Sequence, residues 1–285
     1  RFDKWLRSEI INIPNSLIQK LLRTNKIKVN NKKILSSYRL KEGDKILIYN
    51  LSKCKPTNLK KKIKYFPSIK ESNKIENLII HNNDDYVAIN KPRGLPVQSG
   101  TKNLRNIIDI LKKTKSFEHT KPYIVHRLDK DTSGVFLIAK NRETAQFFTS
   151  LFRLRKIHKT YLAIVIGEFP KKTKKMEDYL EYFENNKKIK LKATTFVKIL
   201  KSNGRFSFLE LDPKTGRKHQ LRKQLFLRGF PIIGDNKYYV HKQRSKSEKI
   251  LMLHSYQLKF IKNEKKFTFQ ADLDFEFKKK IQLYF

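Results

Sequence analysis

The apolar residues of this chain come in short runs, and that constrains its fold more than any other feature. Val135 to Ala139 is among the longest. It suits a buried strand and falls far below the roughly 20 residues of a membrane-spanning helix. Similar runs at Tyr86 to Asn90, Tyr123 to Val125, Tyr161 to Gly167, Ala193 to Leu200, Phe206 to Asp212, Leu251 to Phe260 and Lys265 to Ala271 read as strands. Asn103 to Lys113, Glu143 to Phe152 and Arg217 to Leu227 read as helices, and turns containing Gly204 and Gly216 punctuate the order. Strands and helices do not alternate as βαβ units. The expected class is therefore α+β, a large and mostly antiparallel sheet with flanking helices. Lys171 to Lys190 is highly charged and poor in apolar residues, so it is expected to leave the core.

Residues 1–50 follow a different rhythm. Phe2, Trp5, Leu6 and Glu9 have helical spacing, Pro14 interrupts, and Asn15 is placed to cap a second helix with Leu17, Ile18, Leu21 and Leu22 as its apolar stripe. Ile27-Lys28-Val29, the Asn30-Asn31 turn, Ile34 and Asp44 to Tyr49 then suggest a small sheet. A small α/β domain over 1–50 is expected, followed by a basic linker over 51–75 and a large domain over 76–285. Lys60 to Lys64 holds four cations, and such a linker is expected to stay mobile until a partner orders it.

Lys and Arg total 65 against 26 acids, a formal charge of +39, so the field of the molecule draws polyanions, nucleic acid before membrane. In the small domain 12 cations face four acids. Lys20 and Arg23 lie off the apolar stripe, where they could meet phosphate with little sequence selection. Cys54 is the single cysteine, which excludes an intrachain disulfide and thiol-rich zinc sites. Arg1 to Ile13 lacks the apolar core of a secretory signal. A bacterial cytoplasm, or an organelle matrix in a eukaryote, is the expected compartment. No GxGxxG or GxxxxGK occurs, so a nucleotide cofactor has no support.

Three segments concentrate chemistry. His126-Arg127-Leu128-Asp129-Lys130-Asp131-Thr132-Ser133-Gly134 is a charged turn between apolar runs. Asp129 there could serve as nucleophile, base or metal ligand, or could stabilise the loop; no ligand cluster accompanies it, which disfavours a metal. Asp212 to Arg222 runs from a strand through a Pro/Gly turn into a helix whose start carries Arg217, His219 and Gln220. Helix starts offer free N–H groups to anions, and Arg217 could grip a phosphate. Arg222, farther along, could reach another loop and pair with Asp129. Tyr161, in Lys159-Thr160-Tyr161-Leu162-Ala163, is either core or a platform for an unstacked base.

Together these segments resemble the large family of pseudouridine synthases acting on large-subunit ribosomal RNA and some tRNAs, across nearly the whole chain. His126 to Gly134 is similar to the family's HRLD-x-x-TSG motif. Lys91-Pro92-x-Gly94, Tyr161 within KTYLA, Thr215-Gly216-Arg217-x-His219-Gln220-Leu221-Arg222 and Gly234-Asp235-x-x-Tyr238 follow in the expected order. Residues 1–50 resemble an RNA-binding module of a ribosomal protein. The resemblance implies a catalytic Asp129, a Tyr161 that stacks near the target base and an Arg222 that pairs with the aspartate. His126, Arg127 and Thr132 would position the flipped nucleotide, with Arg217 and Gln220 in support. It implies uridine-to-pseudouridine isomerisation in large-subunit ribosomal RNA or its assembly intermediates, the alternatives being a tRNA pseudouridine synthase or a non-catalytic RNA-binding factor in ribosome assembly. No metal or other cofactor, no membrane partner and a monomeric state are expected. The chain departs from the family at Lys218, Lys223 and Gln224, and these changes are expected to alter RNA contacts.

Overall fold

The computed structural model describes residues 1–49, 65–99, 104–184, 187–239 and 250–285. Two compact units divide the chain, Arg1–Lys64 and Tyr65–Phe285.

In the first unit, α1 (Phe2–Trp5) widens into a π turn at Leu6–Ile10. Next come α2 (Asn15–Arg23) and an antiparallel pair, β1 (Ile27–Val29) and β2 (Ile46–Ile48). Phe2, Leu6, Ile13, Ile18, Leu22, Ile27 and Val29 form its buried centre. Asn15 does not cap α2. Pro14 stands before the helix, with no side-chain cap, and Asn15 is its first residue. Asn30 and Asn31 both take the left-handed conformation their short polar side chains tolerate. Asn30 then ties the turn across to Asp44 and Lys45.

The second unit begins inside the stretch expected to be linker. Ser68 caps α3 (Ile69–Glu76) by accepting from the Glu71 N–H, and Ile75 is buried beside Val87 and Ile107. The linker residues 51–64 lie outside the described residues. Ten strands make one sheet: β3 (Ile79–Asn82), β4 (Tyr86–Lys91), β5 (Tyr123–Ile124), β6 (Ser133–Ala139), β7 (His158–Ile166), β8 (Lys175–Glu184), β9 (Lys187–Ser202), β10 (Phe206–Pro213), β11 (Leu253–Lys262) and β12 (Lys265–Gln270). The order is β3-β4-β6-β11-β7-β10-β9-β8, with β5 on β6 and β12 on β11. Every pairing is antiparallel except β6 with β11. The flanking helices are α4 (Ile107–Leu111), α5 (Arg142–Arg153), α6 (Gln220–Leu227) and α7 (Phe275–Tyr284). The helical segment expected from Asn103 is shorter, and Asn106 caps α4; residue 103 lies outside the described residues. The sheet's mixed but mainly antiparallel character matches its sequence pattern, in which most of the strands carry short apolar runs and do not alternate with helices.

Lys171 to Lys190 does not leave the core. Most of it forms β8 and the start of β9, the ribbon at one end of the sheet. Alternation explains it: Met176 and Leu180 point inward and are buried. On the other face Glu177 pairs with Lys175 and Lys192, and Glu181 with Lys188. A two-residue period carries an apolar side inside a segment whose average composition looks polar.

Candidate active site

The loop from the short, exposed β5 to the fully buried β6 carries Asp129. Its exit is set by Gly134, φ +108, where the parallel strand β11 comes so close that an added Cβ would sit 2.2 Å from the Ser255 carbonyl oxygen. Any other residue would push β6 from β11 and shift the loop. Thr132, 2% exposed, closes the turn by donating its N–H to the Asp129 carbonyl oxygen at 3.2 Å. Lys91 anchors the loop from below. Its fully buried ammonium donates to the carbonyls of Pro92 and Leu95 at 2.8 Å and of Lys130 at 3.2 Å. Burial pushes this ammonium down to about 7, against the pull of Asp131 and Asp129.

The opposing wall comes from the turn into α6. The helix starts at Gln220, not Arg217, because His219 is left-handed, φ 54. Gln220 is buried and its amide is occupied. Its Oε1 accepts from Thr215 Oγ1 and the Arg217 N–H, while Nε2 donates to the Thr194 carbonyl and Thr195 Oγ1. Expected among substrate-binding residues, Gln220 instead shapes the turn, since no donor or acceptor is left to meet a ligand.

Arg222 does reach the Asp129 loop, and it is shared. Nε and Nη2 each meet Asp235 at 2.7 Å, whereas Nη1 stands 3.4 Å from Asp129 Oδ2. Asp235 has a fully buried side chain and also accepts the N–H groups of Lys237 and Tyr238 at 2.9 Å. The second oxygen of Asp129 faces His219 Nε2 at 3.6 Å, and the other ring nitrogen bonds the Tyr238 hydroxyl at 3.0 Å. Burial pushes the His219 pKa down, Asp129 opposing. Asp129 keeps 23% of its side chain exposed. It is a carboxylate aimed by cations and left open on one side.

That open side faces a cavity of about 500 Å³. Tyr161, Leu221 and Leu253 supply apolar surface, and Arg127, Arg153, Lys159, Arg217 and Lys218 supply positive charge. Burial pushes the Tyr161 hydroxyl up to about 12; Ser255 beside it lowers it and Asp129 adds to the rise. The phenol is therefore protonated at neutral pH. Arg127 is exposed at the mouth. Arg217 donates Nε to the Lys192 carbonyl at 3.3 Å.

His126 also borders the cavity, but its ring serves the scaffold. Nε2 accepts the Leu137 N–H at 2.9 Å, and the ring stacks on Phe152 at 4.5 Å between centroids. Burial drives its pKa down to about 3, with Lys159 adding repulsion. His126 is thus a neutral acceptor that fixes the loop to β6. In the first unit Lys20 and Arg23 are exposed while Ile18 and Leu22 of the same helix are buried. The structure therefore gathers Asp129, Tyr161, Arg222, Arg127, Thr132, His126 and Arg217 around one cavity. Sequence reasoning left Lys91, Lys159, His219 and Asp235 out of the site. A buried lysine followed by proline, and an aspartate after a glycine in a turn, were the available signals.

A carboxylate beside one fixed arginine, open to a cavity lined with Arg127, Arg153, Arg217 and Lys218, suits a site that handles an anionic substrate, and the comparisons agree. A family model for RNA pseudouridylate synthase matches residues 85–226. The ribosomal large subunit pseudouridine synthase C of Buchnera aphidicola subsp. Acyrthosiphon pisum (strain APS) is 33% identical over 97% of this chain and 91% of its own length. The enzyme of that name from Rickettsia bellii (strain RML369-C) is 38% identical over 84% of this chain and 82% of its own. Human RNA Pseudouridylate Synthase Domain Containing 4 superposes with a TM-score of 0.62 at 27% identity, over 74% of this chain and 94% of its own. This chain belongs to the RNA pseudouridylate synthase family.

Proposed function

We propose that this protein isomerises specific uridines to pseudouridine in large-subunit ribosomal RNA, with Asp129 as the catalytic carboxylate. The observation that carries the reading is Asp129 itself, held by Arg222 and His219 and open toward a cavity with Tyr161 on its wall. The names and nearly full-length coverage of the bacterial relatives support the choice of RNA.

The reaction breaks the N1–C1′ bond, joins C5 to C1′ and, in net, exchanges the C5 proton for one on N1. An ionised Asp129 can open it by attack on the sugar or base, or by taking a sugar proton to give a glycal; each route needs the same carboxylate. Arg222 aims that group. Tyr161 presents a ring on which the flipped uracil stacks, repaying part of the unstacking cost. The uracil must turn without leaving, so a walled cavity matters as much as bond cleavage. Arg127, Arg217 and Lys218 meet flanking phosphates. Lys20 and Arg23 of the first unit add contact to phosphate that is blind to sequence.

Mapping pseudouridine in total RNA with and without the gene tests the reading. Loss at large-subunit sites supports it. Unchanged ribosomal RNA with altered tRNA overturns the substrate, and restoration of every site by Asp129→Asn overturns the catalytic assignment. Lys20→Ala with Arg23→Ala is expected to weaken RNA binding and reduce its salt slope by about 2; an unchanged slope removes these residues from the interface.

A further inference from the structure

Asp129 borders a second cavity, of about 550 Å³, which shares Arg127, Asp129, His219 and Arg222 with the first. That volume lies within the range of small-ligand sites, about 300–1,000 Å³. Tyr161 and Leu253 belong only to the first cavity. The second is lined instead by Pro96, Val97 and Ile124, with Gln98, Asn236 and Lys237 at its polar side. The isomerisation proposed above needs one enclosed base, and the first cavity provides for it. The adjoining space, reached from the same Asp129, offers room beyond that base.

The amides around the site divide into two kinds. Gln220 and Gln224 are buried and fully engaged: Gln224 accepts from Thr195 Oγ1 and donates to Asp178. Gln98 and Asn236 are exposed, and neither side chain has a hydrogen-bond partner among the described residues. A primary amide presents a donor beside an acceptor, the pattern that reads the edge of a nucleobase. Apolar Pro96, Val97 and Ile124 suit the face of a base, and Lys237 suits its phosphate. Because Arg127 and Asp129 lie in both cavities, a nucleotide in the second would be a close neighbour of the one undergoing reaction.

We propose that the second cavity binds another unstacked nucleotide of the same RNA, adjoining the target uridine, and that Gln98 and Asn236 select its base. This rests on the RNA-modifying reading above and adds a source of sequence context to it. The selection operates when the base is docked, so it governs kcat/KM and leaves the chemical step on Asp129 unaltered.

The test takes an RNA in which the wild-type protein forms pseudouridine and replaces each base flanking the uridine by the other three and by an abasic residue. Wild type is expected to lose roughly 5- to 100-fold in kcat/KM when one particular neighbour is changed or removed. A Gln98→Ala, Asn236→Ala double variant is expected to treat all bases at that position alike, while matching the wild-type rate on the abasic RNA. That matched rate shows that the variant is folded and chemically intact. Indifference of the wild type to both neighbours overturns the proposal, as does a double variant that keeps the discrimination. Failure of the wild type to make pseudouridine in any RNA overturns the proposed function, and this inference with it.

Discussion

Asp129 and Asp235 share one guanidinium and have opposite surroundings. Asp235 is fully buried, takes two Arg222 N–H groups at 2.7 Å and accepts two backbone N–H groups besides. Asp129 is partly exposed and meets the same arginine at 3.4 Å. A carboxylate whose lone pairs are all engaged cannot attack anything, and one with no partners would not be aimed. The pair teaches that a single arginine can be immobilised by one acid so that it can orient another. Asp235 makes the cation rigid; Asp129 uses the field of that rigid cation with lone pairs still free.

The sharpest contrast is between removing charge on one side and on the other. Asp129→Asn is expected to lower pseudouridine formation by about 10³-fold or more, with a melting temperature near wild type. A large drop in melting temperature would make Asp129 structural like its counterpart. Asp235→Ala reverses the pattern. It strands a buried guanidinium, at a cost of about 3–5 kcal/mol, and lowers the melting temperature by roughly 10 °C, as differential scanning calorimetry would show. Arg222→Lys keeps the charge and loses the fork that spans both acids. A fall in kcat of about 10- to 100-fold is expected, and an unaltered kcat would show that a point charge suffices.

Smaller effects lie at the edges of the site. His126 has a folded pKa far below its ordinary value. The unfolded chain therefore takes up a proton that the folded chain refuses between pH 6.5 and about 3. The stability from this group is full above pH 6.5 and falls toward acid by about 1.4 kcal/mol per pH unit. Denaturant titrations across pH 4–7 should show a shallower slope for His126→Asn. Lys223→Ala is expected to change stability by less than about 1 kcal/mol and leave kcat/KM alone. Its ammonium lies 3.8 Å over the Tyr182 ring and donates to the Glu181 carbonyl, so it fastens α6 to β8.

Lys223 also shows where reading the chain alone goes astray. Lys218, Lys223 and Gln224 depart together from the family pattern, changes that the sequence alone reads as altered RNA contact. Only Lys218 lines the cavity. Lys223 and Gln224 lie on the face of α6 that meets the β8–β9 ribbon, while Lys218 precedes the helix. The ribbon itself was missed for a related reason: mean polarity hides a strand whose alternate residues are buried. The central strands were legible, since each carries a short apolar run. The start of α6 was misplaced by three residues because the left-handed backbone of His219 leaves no local signature in a non-glycine residue.

The sequence by itself determined the central strands, the antiparallel bias, the basic surface and the presence of Asp129, Tyr161 and Arg222 in separate segments. These depend on local period, composition and motif. Only the tertiary structure decided that Arg222 divides itself between two acids, that the Gln220 amide is fully occupied by the scaffold while His126 gives it Nε2, and that Asp129 keeps an open face. Hydrogen-bond capacity is finite, and which of a side chain's donors and acceptors remain free is known only once every neighbour from distant strands and loops is in place.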